Sequence, residues 1–237
     1  MEISDIISDA IVHPFHNIKA LVLFAVLGII AGLVGGGTVL CIAMSNASGN
    51  PYGVGGSAII GVIILILICL LISGYTIDII KFGIERRDDS PGIDIARQVS
   101  NAVKLVIVDL VYNLIPLIIA GLLLALLGRG ILTILIIIII AIVFNLATVM
   151  AKCRLANSDS LGNALAIGEA IGDISKVGIV KILLTTLLIL VIVFIVSLLI
   201  AGVMNVNDIV GGILFGIFYV YLLFFYNRSI GLLYSDA

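Results

Sequence analysis

Residues 130–154 read GILTILIIIIIAIVFNLATVMAKCR. From Gly130 to Ala151 there is no Asp, Glu, Lys or Arg, and Lys152 and Arg154 follow at once. A doubly buried strand ends after roughly 4–8 residues, and the helix of a soluble domain keeps a polar face. An unbroken apolar segment of about 20 residues, wound as a helix, matches the ~30 Å hydrocarbon core of a bilayer. The stretch therefore predicts a transmembrane helix with cations at one end.

The same pattern recurs along the chain. Apolar runs fall at about 18–40, 57–77, 105–127, 130–149, 178–203 and 209–226. Of the 12 Lys and Arg residues, only Arg129 lies in the loops after spans one, three and five. Lys19 stands before span one; Lys81, Arg86, Arg87, Arg97 and Lys104 separate spans two and three. Lys152, Arg154, Lys176 and Lys181 separate spans four and five, and Arg228 follows span six. By the positive-inside rule both termini are expected in the cytoplasm, with cytoplasmic loops at 78–104 and 150–177.

The chain is 62% hydrophobic and 11% charged, with mean hydropathy +1.38. Soluble domains carry about 25% charged residues, so a soluble globular reading is excluded. The net charge of −2 argues against nucleic-acid binding, which needs cations to displace phosphate counterions. Glu2, Asp5 and Asp9 are the reverse of a secretory n-region. Cys41, Cys69 and Cys153 fall at different depths and form no CxxC, so they read as small apolar fillers.

Three polar-loop segments have helical amphipathicity. Residues 4–12 set Ile3, Ile6, Ile7, Ala10 and Ile11 against Asp5, Ser8 and Asp9, with Pro14 expected to end the helix. After Ser90-Pro91, Ile95, Val99, Ala102 and Val103 oppose Arg97, Gln98 and Asn101. After Asp159-Ser160, Leu161, Ala164, Leu165, Gly168 and Ile171 oppose Asn163, Glu169 and Asp173. Such segments lie in the membrane interface. The expected architecture is thus all-α and polytopic, one membrane domain over 1–237. Its six transmembrane helices form three hairpins, each preceded by an amphipathic interfacial helix.

Small residues at four-residue spacing let helices approach closely. Gly28, Gly32 and Gly36 (span one), Gly121 and Ala125 (span three) and Gly212 and Gly216 (span six) have this spacing. Spans one, three and six are expected to form the packed centre, with the Ile/Leu/Val-rich spans four and five facing lipid. Gly35-Gly36-Gly37 is expected to end or kink span one.

Ionisable groups within a membrane are costly and mark functional sites or ion pairs. Asp78, Asp109, Asn113, Asn145 and Arg228 all fall near the cationic ends of their spans. They are the candidate binding residues, read either as a polar pocket open to the cytoplasm or as interfacial pairs. In the second reading Asp78 and Asp109 pair with Arg228, Lys104 or Lys152. His13, His16 and Asp9 flank Pro14, an unsuitable frame for a metal chelate. No motif for a nucleophile–base set, a phosphate cradle or paired carboxylates is present, so no catalytic residue and no cofactor are expected.

Several stretches resemble one archaeal membrane family, catalogued as domain of unknown function 4013. They are Asp9-Ala10 with Pro14 and Asn17; Ser73-Gly74-Tyr75; Lys104-Leu105 with Tyr112 and Ile115-Pro116; and Arg228 with Gly231-Leu232-Leu233-Tyr234. The resemblance implies a six-helix protein of the archaeal cytoplasmic membrane without an assigned activity. This chain departs from the family pattern in having Asp78 where a basic residue is usual, and His13 where an aromatic often stands.

Two functions follow as expectations. The first is a non-enzymatic accessory, scaffold or lipid-organising membrane protein with a cytoplasm-facing polar pocket. Its partners would be membrane lipids and either another protein or a second copy. The alternative is a small-solute or ion transporter or channel using Asp109, Asn113 and Asp78.

Overall fold

A computed structural model describes the backbone of residues 1–48, 55–206 and 208–237. The described chain is helical, without strands. A bilayer supplies no partners for backbone N–H and C=O groups, so helices satisfy them internally. The elements are α1 (Ile3–His16), α2 (Ile18–Ser48), α3 (Gly55–Ile84), α4 (Ile95–Leu127), α5 (Ile131–Ser158), α6 (Leu161–Ala164), α7 (Ile167–Val177), α8 (Ile179–Val206) and α9 (Asp208–Tyr234). Six of them, α2, α3, α4, α5, α8 and α9, are long and apolar enough to cross a membrane. The protein is a multi-pass membrane protein, and its spans pack as the hairpins α2–α3, α4–α5 and α8–α9.

The helices outrun the apolar runs at the cationic end. α3 continues past residue 77 to Ile84, α5 past 149 to Ser158, and α9 past 226 to Tyr234. The short α1, α6 and α7 cover this end as a collar. α1 packs on α9 and α8, and α7 packs on α5.

Four local expectations are corrected. α1 runs through Pro14 to His16; a proline without an N–H still completes the last turn of a short helix. α2 runs through Gly35 and Gly37 to Ser48 without ending, because an intact helix is the cheapest way to satisfy the backbone in lipid. Residues 49–54 of the Gly-rich loop, and Asn207, lie outside the described residues. The second amphipathic segment is no separate element. α4 starts at Ile95, capped by the Asp94 side chain rather than by Ser90-Pro91, and continues into span three. Its faces do not divide by polarity. Gln98 and Asn101 are buried beside Ala102, whereas Ile95 and Val103 are exposed along with Arg97. Asp173 likewise turns inward and is fully buried.

The packed centre is α3 with α9, flanked by α2 and α4, not spans one, three and six. Outward residues Leu110, Leu117, Leu122 and Leu126 leave the deep part of α4 exposed, and a Cβ on Gly121 would touch nothing. The close crossings use glycines outside the predicted spacing. A Cβ on Gly74 would lie 1.8 Å from the Gln98 carbonyl oxygen, fixing α3 against α4. Gly83 and Gly231 face each other with a would-be Cβ 3.0 Å from the opposite Cα, fixing α3 against α9. Of the predicted glycines, Gly28 and Gly216 do meet across α2 and α9, a Cβ on Gly28 lying 3.7 Å from the Gly216 carbonyl. The surroundings of Gly36 and Gly212 lie outside the described residues. α8 is largely exposed, as expected, but the half of α5 toward its cationic end is core, with Ala147, Met150, Ala151 and Cys153 fully buried.

Candidate functional site

The five predicted residues occupy four distinct settings near the cationic end. Asp78, at the end of α3, is buried and accepts from Arg97 Nε at 3.3 Å, Arg97 Nη2 at 3.1 Å and Asn101 Nδ2 at 3.2 Å. Arg97 and Asn101 lie one turn apart on α4, so one face of that helix neutralises the acid. Arg228 is 1% exposed and pairs with an acid, as expected, though that acid is Asp9 of α1. Nε donates to Oδ1 at 2.7 Å and Nη2 to Oδ2 at 3.2 Å. Its Nη1 also donates to the Phe82 and Arg87 carbonyls at 3.0 and 2.7 Å.

Asn113 of α4 and Asn145 of α5 line one groove of about 270 Å³ with Pro116 and Thr148. Asn113 donates to the Asp109 carbonyl in its own helix at 2.6 Å.

Asp109 lies elsewhere. α2, α3, α4, α5 and α9 surround a cavity of about 880 Å³. Its walls are apolar along Gly28, Ile29 and Gly32 of α2, Ile72 and Ile77 of α3, and Ile213 and Phe215 of α9. Polar groups gather toward the cationic end: Asp109, Lys152, Thr76, Ser73, Tyr226 and Asn227. Asp109 Oδ1 and Lys152 Nζ are 2.9 Å apart, the side chains 39% and 24% exposed. The pair is therefore not sealed into protein. The Thr76 hydroxyl donates to the Ser73 carbonyl at 2.6 Å and the Asn227 amide to the Leu223 carbonyl at 2.7 Å. These donors are used locally, leaving their oxygens as acceptors.

The family model described as Protein of unknown function (DUF4013) matches residues 57–206. The chain belongs to that family. The match holds Asp78, Asp109, Asn113, Asn145 and the collar helix α7, while α1 and Arg228 lie outside it. Comparison with curated proteins and with solved structures gives no match.

In this DUF4013 protein the residues that carry the resemblance make contacts between elements, two of them with each other: Asn17 with Tyr75 and Asp9 with Arg228. Asn17 Nδ2 donates to the Tyr75 hydroxyl at 2.8 Å, and that hydroxyl donates to the Pro91 carbonyl at 3.1 Å. Asp9 meets Arg228, Gly74 meets Gln98 and Gly231 meets Gly83. The Tyr112 hydroxyl donates to the Ala164 carbonyl at 2.9 Å and the Tyr234 hydroxyl to Asp173 at 2.9 Å.

Sequence reasoning missed a further cluster at the collar. Buried Asp173 of α7 accepts from Arg154 Nη1 at 2.9 Å, Lys176 Nζ at 2.6 Å and Tyr234. Burial alone would raise this carboxyl, but the three donors outweigh it and hold it below the ordinary carboxylate range. Asp236 is held at about 2, chiefly by the hydrogen bond from Lys181. The signal for Asp173 was its i, i+3 spacing to Lys176; Tyr234 stood among the residues that carry the resemblance, but nothing in the sequence paired it with Asp173.

Proposed function

We propose that the protein is a non-enzymatic, lipid-organising component of the cytoplasmic membrane of an archaeon, with both termini inside. The observation that carries this reading is the cavity of about 880 Å³ among membrane-spanning helices, apolar along its length and polar toward one end. That distribution matches an amphiphile lying along the bilayer normal. The volume falls within the ~300–1,000 Å³ of ordinary ligand pockets. The collar of α1, α6 and α7 rests at the level of the cations, where an interfacial surface would organise headgroups or seat a partner protein or second copy.

The transporter reading has less support. Asp109, Asn113 and Asp78 do not share one cavity among the described residues. Asp78 is closed off by Arg97 and Asn101. A transport site ordinarily sits at the midplane between helices that break there.

Native mass spectrometry of protein gently extracted from its own membrane tests the proposal. A retained lipid at fixed stoichiometry is the expected result. A bare chain together with solute flux in proteoliposomes would replace this reading by transport.

A further inference from the structure

We infer that the Asp109–Lys152 pair is the headgroup seat of the cavity and selects a net-neutral amphiphile. The headgroup would carry an N–H or O–H donor for Asp109 and an anionic or hydroxyl acceptor for Lys152. This rests on the lipid-binding reading above and deepens it.

The argument begins with charge. Asp109 and Lys152 are the only charged residues among those lining the cavity in the described structure. At 2.9 Å they nearly cancel, so the seat has a strong local dipole and no net charge. An anionic headgroup would gain from Lys152 but meet the Asp109 carboxylate beside it. A lone cation would meet the reverse. A headgroup with both polarities satisfies both at once, and such charge-assisted bonds are the strong ones. The pair keeps spare capacity, since one carboxylate oxygen and two ammonium N–H groups remain beyond their mutual contact. The Tyr226 hydroxyl, which makes no hydrogen bond among the described residues, and the Asn227 amide oxygen belong to residues lining the same cavity.

Length supports a chain-bearing ligand. On α9 the lining runs from Ile213 to Asn227, about 21 Å at 1.5 Å per residue. One leaflet of hydrocarbon is only about 15 Å deep. A headgroup at Lys152 would thus place its chain against Gly28, Gly32 and Ile213, reaching past the midplane. Gly32 offers open space there, because a Cβ on it would touch nothing within 4 Å.

The test is native mass spectrometry of the full-length protein, delipidated and reloaded from vesicles. The vesicles hold equal parts of phosphatidylethanolamine, a neutral glycolipid, phosphatidylcholine and phosphatidylglycerol. Wild type is expected to retain one molecule of phosphatidylethanolamine, the glycolipid, or either. The first names an ammonium donor and the second a hydroxyl donor. Asp109→Asn leaves Lys152 unpaired and should shift the preference toward phosphatidylglycerol by about tenfold. Gly32→Phe should fill the apolar end and release lipid without touching the pair. An unchanged headgroup ranking in Asp109→Asn, with lipid still lost in Gly32→Phe, would overturn the headgroup seat and leave the lipid-binding reading standing. Wild type holding no lipid, or Gly32→Phe holding as much as wild type, would overturn both.

Discussion

Arg228 and Asp9 lie 219 positions apart in the chain, yet their side chains meet as a two-point fork, Nε to Oδ1 at 2.7 Å and Nη2 to Oδ2 at 3.2 Å. The same guanidinium holds the Phe82 and Arg87 carbonyls, so one side chain joins α1, the end of α3 and the loop after it to α9. Removing one partner of a fully buried pair costs about 3–5 kcal/mol; Asp9 is 29% exposed, so loss of Arg228 falls at or below the low end of that range. Arg228→Met should therefore lower the midpoint of thermal unfolding in detergent by several degrees. Arg228→Lys should recover little, because an ammonium cannot reproduce the planar fork. A lysine variant melting with wild type would show that charge alone, not the fork, holds the collar.

The sequence was most legible where one force dominates. Hydrocarbon thickness sets the length of an apolar run, so the six spans were plain, and cation placement marked one end of the bundle. For Asp109 the interfacial-pair reading left Arg228, Lys104 and Lys152 open as partners, and the structure pairs it with Lys152. The pairings of Asp78 and Arg228 were not readable, because both depend on how α1 and α4 dock. α4 shows why. Polar Gln98 and Asn101 turn toward protein beside Ala102, while apolar Ile95 and Val103 turn out with Arg97. Beside a membrane the surroundings are as apolar as the core, so amphipathicity gives a face but not its direction. The glycine crossings at Gly74 and Gly83–Gly231 escaped for a related reason. A single glycine fixes a close approach as well as a spaced pair, and only the docked partner reveals it.

Gly74 gives a sharp contrast with Gly121. A methyl at Gly74 would sit 1.8 Å from the Gln98 oxygen and 2.4 Å from its carbonyl carbon, both backbone atoms. The helices would have to separate, so Gly74→Ala should destabilise by about 1–3 kcal/mol, the usual range for overpacking. Gly121→Ala meets open space and should be neutral or gain up to about 1 kcal/mol from helix propensity. Thermal unfolding of both variants in one detergent checks the pair. Equal midpoints would contradict the tight α3–α4 crossing.

Asp173 ties α7 to α5 and α9 through Arg154 and Tyr234. Because its folded carboxyl is held below the ordinary value, its stabilising contribution is complete above about pH 4 and fades as pH falls through the folded value. Hydrogen exchange across residues 167–177 should thus stay equally protected from pH 5 to pH 7. Asp173→Asn should lose protection throughout that range, since the amide cannot accept three donors as a carboxylate does. Tyr234→Phe should lose less, about 1 kcal/mol, the worth of one hydrogen bond. Full protection in Asp173→Asn would remove the cluster as the anchor of α7.

His13 makes the opposite pH prediction. It is 2% exposed, and its Nε2 has no hydrogen-bond partner among the described residues. Burial, aided by the neighbouring Arg228 charge, lowers its pKa to about 4; Asp9 and Asp88 oppose the shift, and His16 adds slightly to it. Exposed, the imidazole takes up a proton near pH 6.5; docked, it does so only near 4. Between these values the undocked helix binds more protons, so docking of α1 weakens as pH falls across that window and levels off on either side. The difference amounts to at most about 3 kcal/mol. Proton exchange over residues 3–16, corrected for intrinsic rate, should show α1 looser at pH 5 than at pH 7.5. His13→Leu, which keeps the packing without the titration, should flatten that difference. The same protection at both pH values in wild type would mean that His13 stays solvated and that the collar does not respond to acid through this residue.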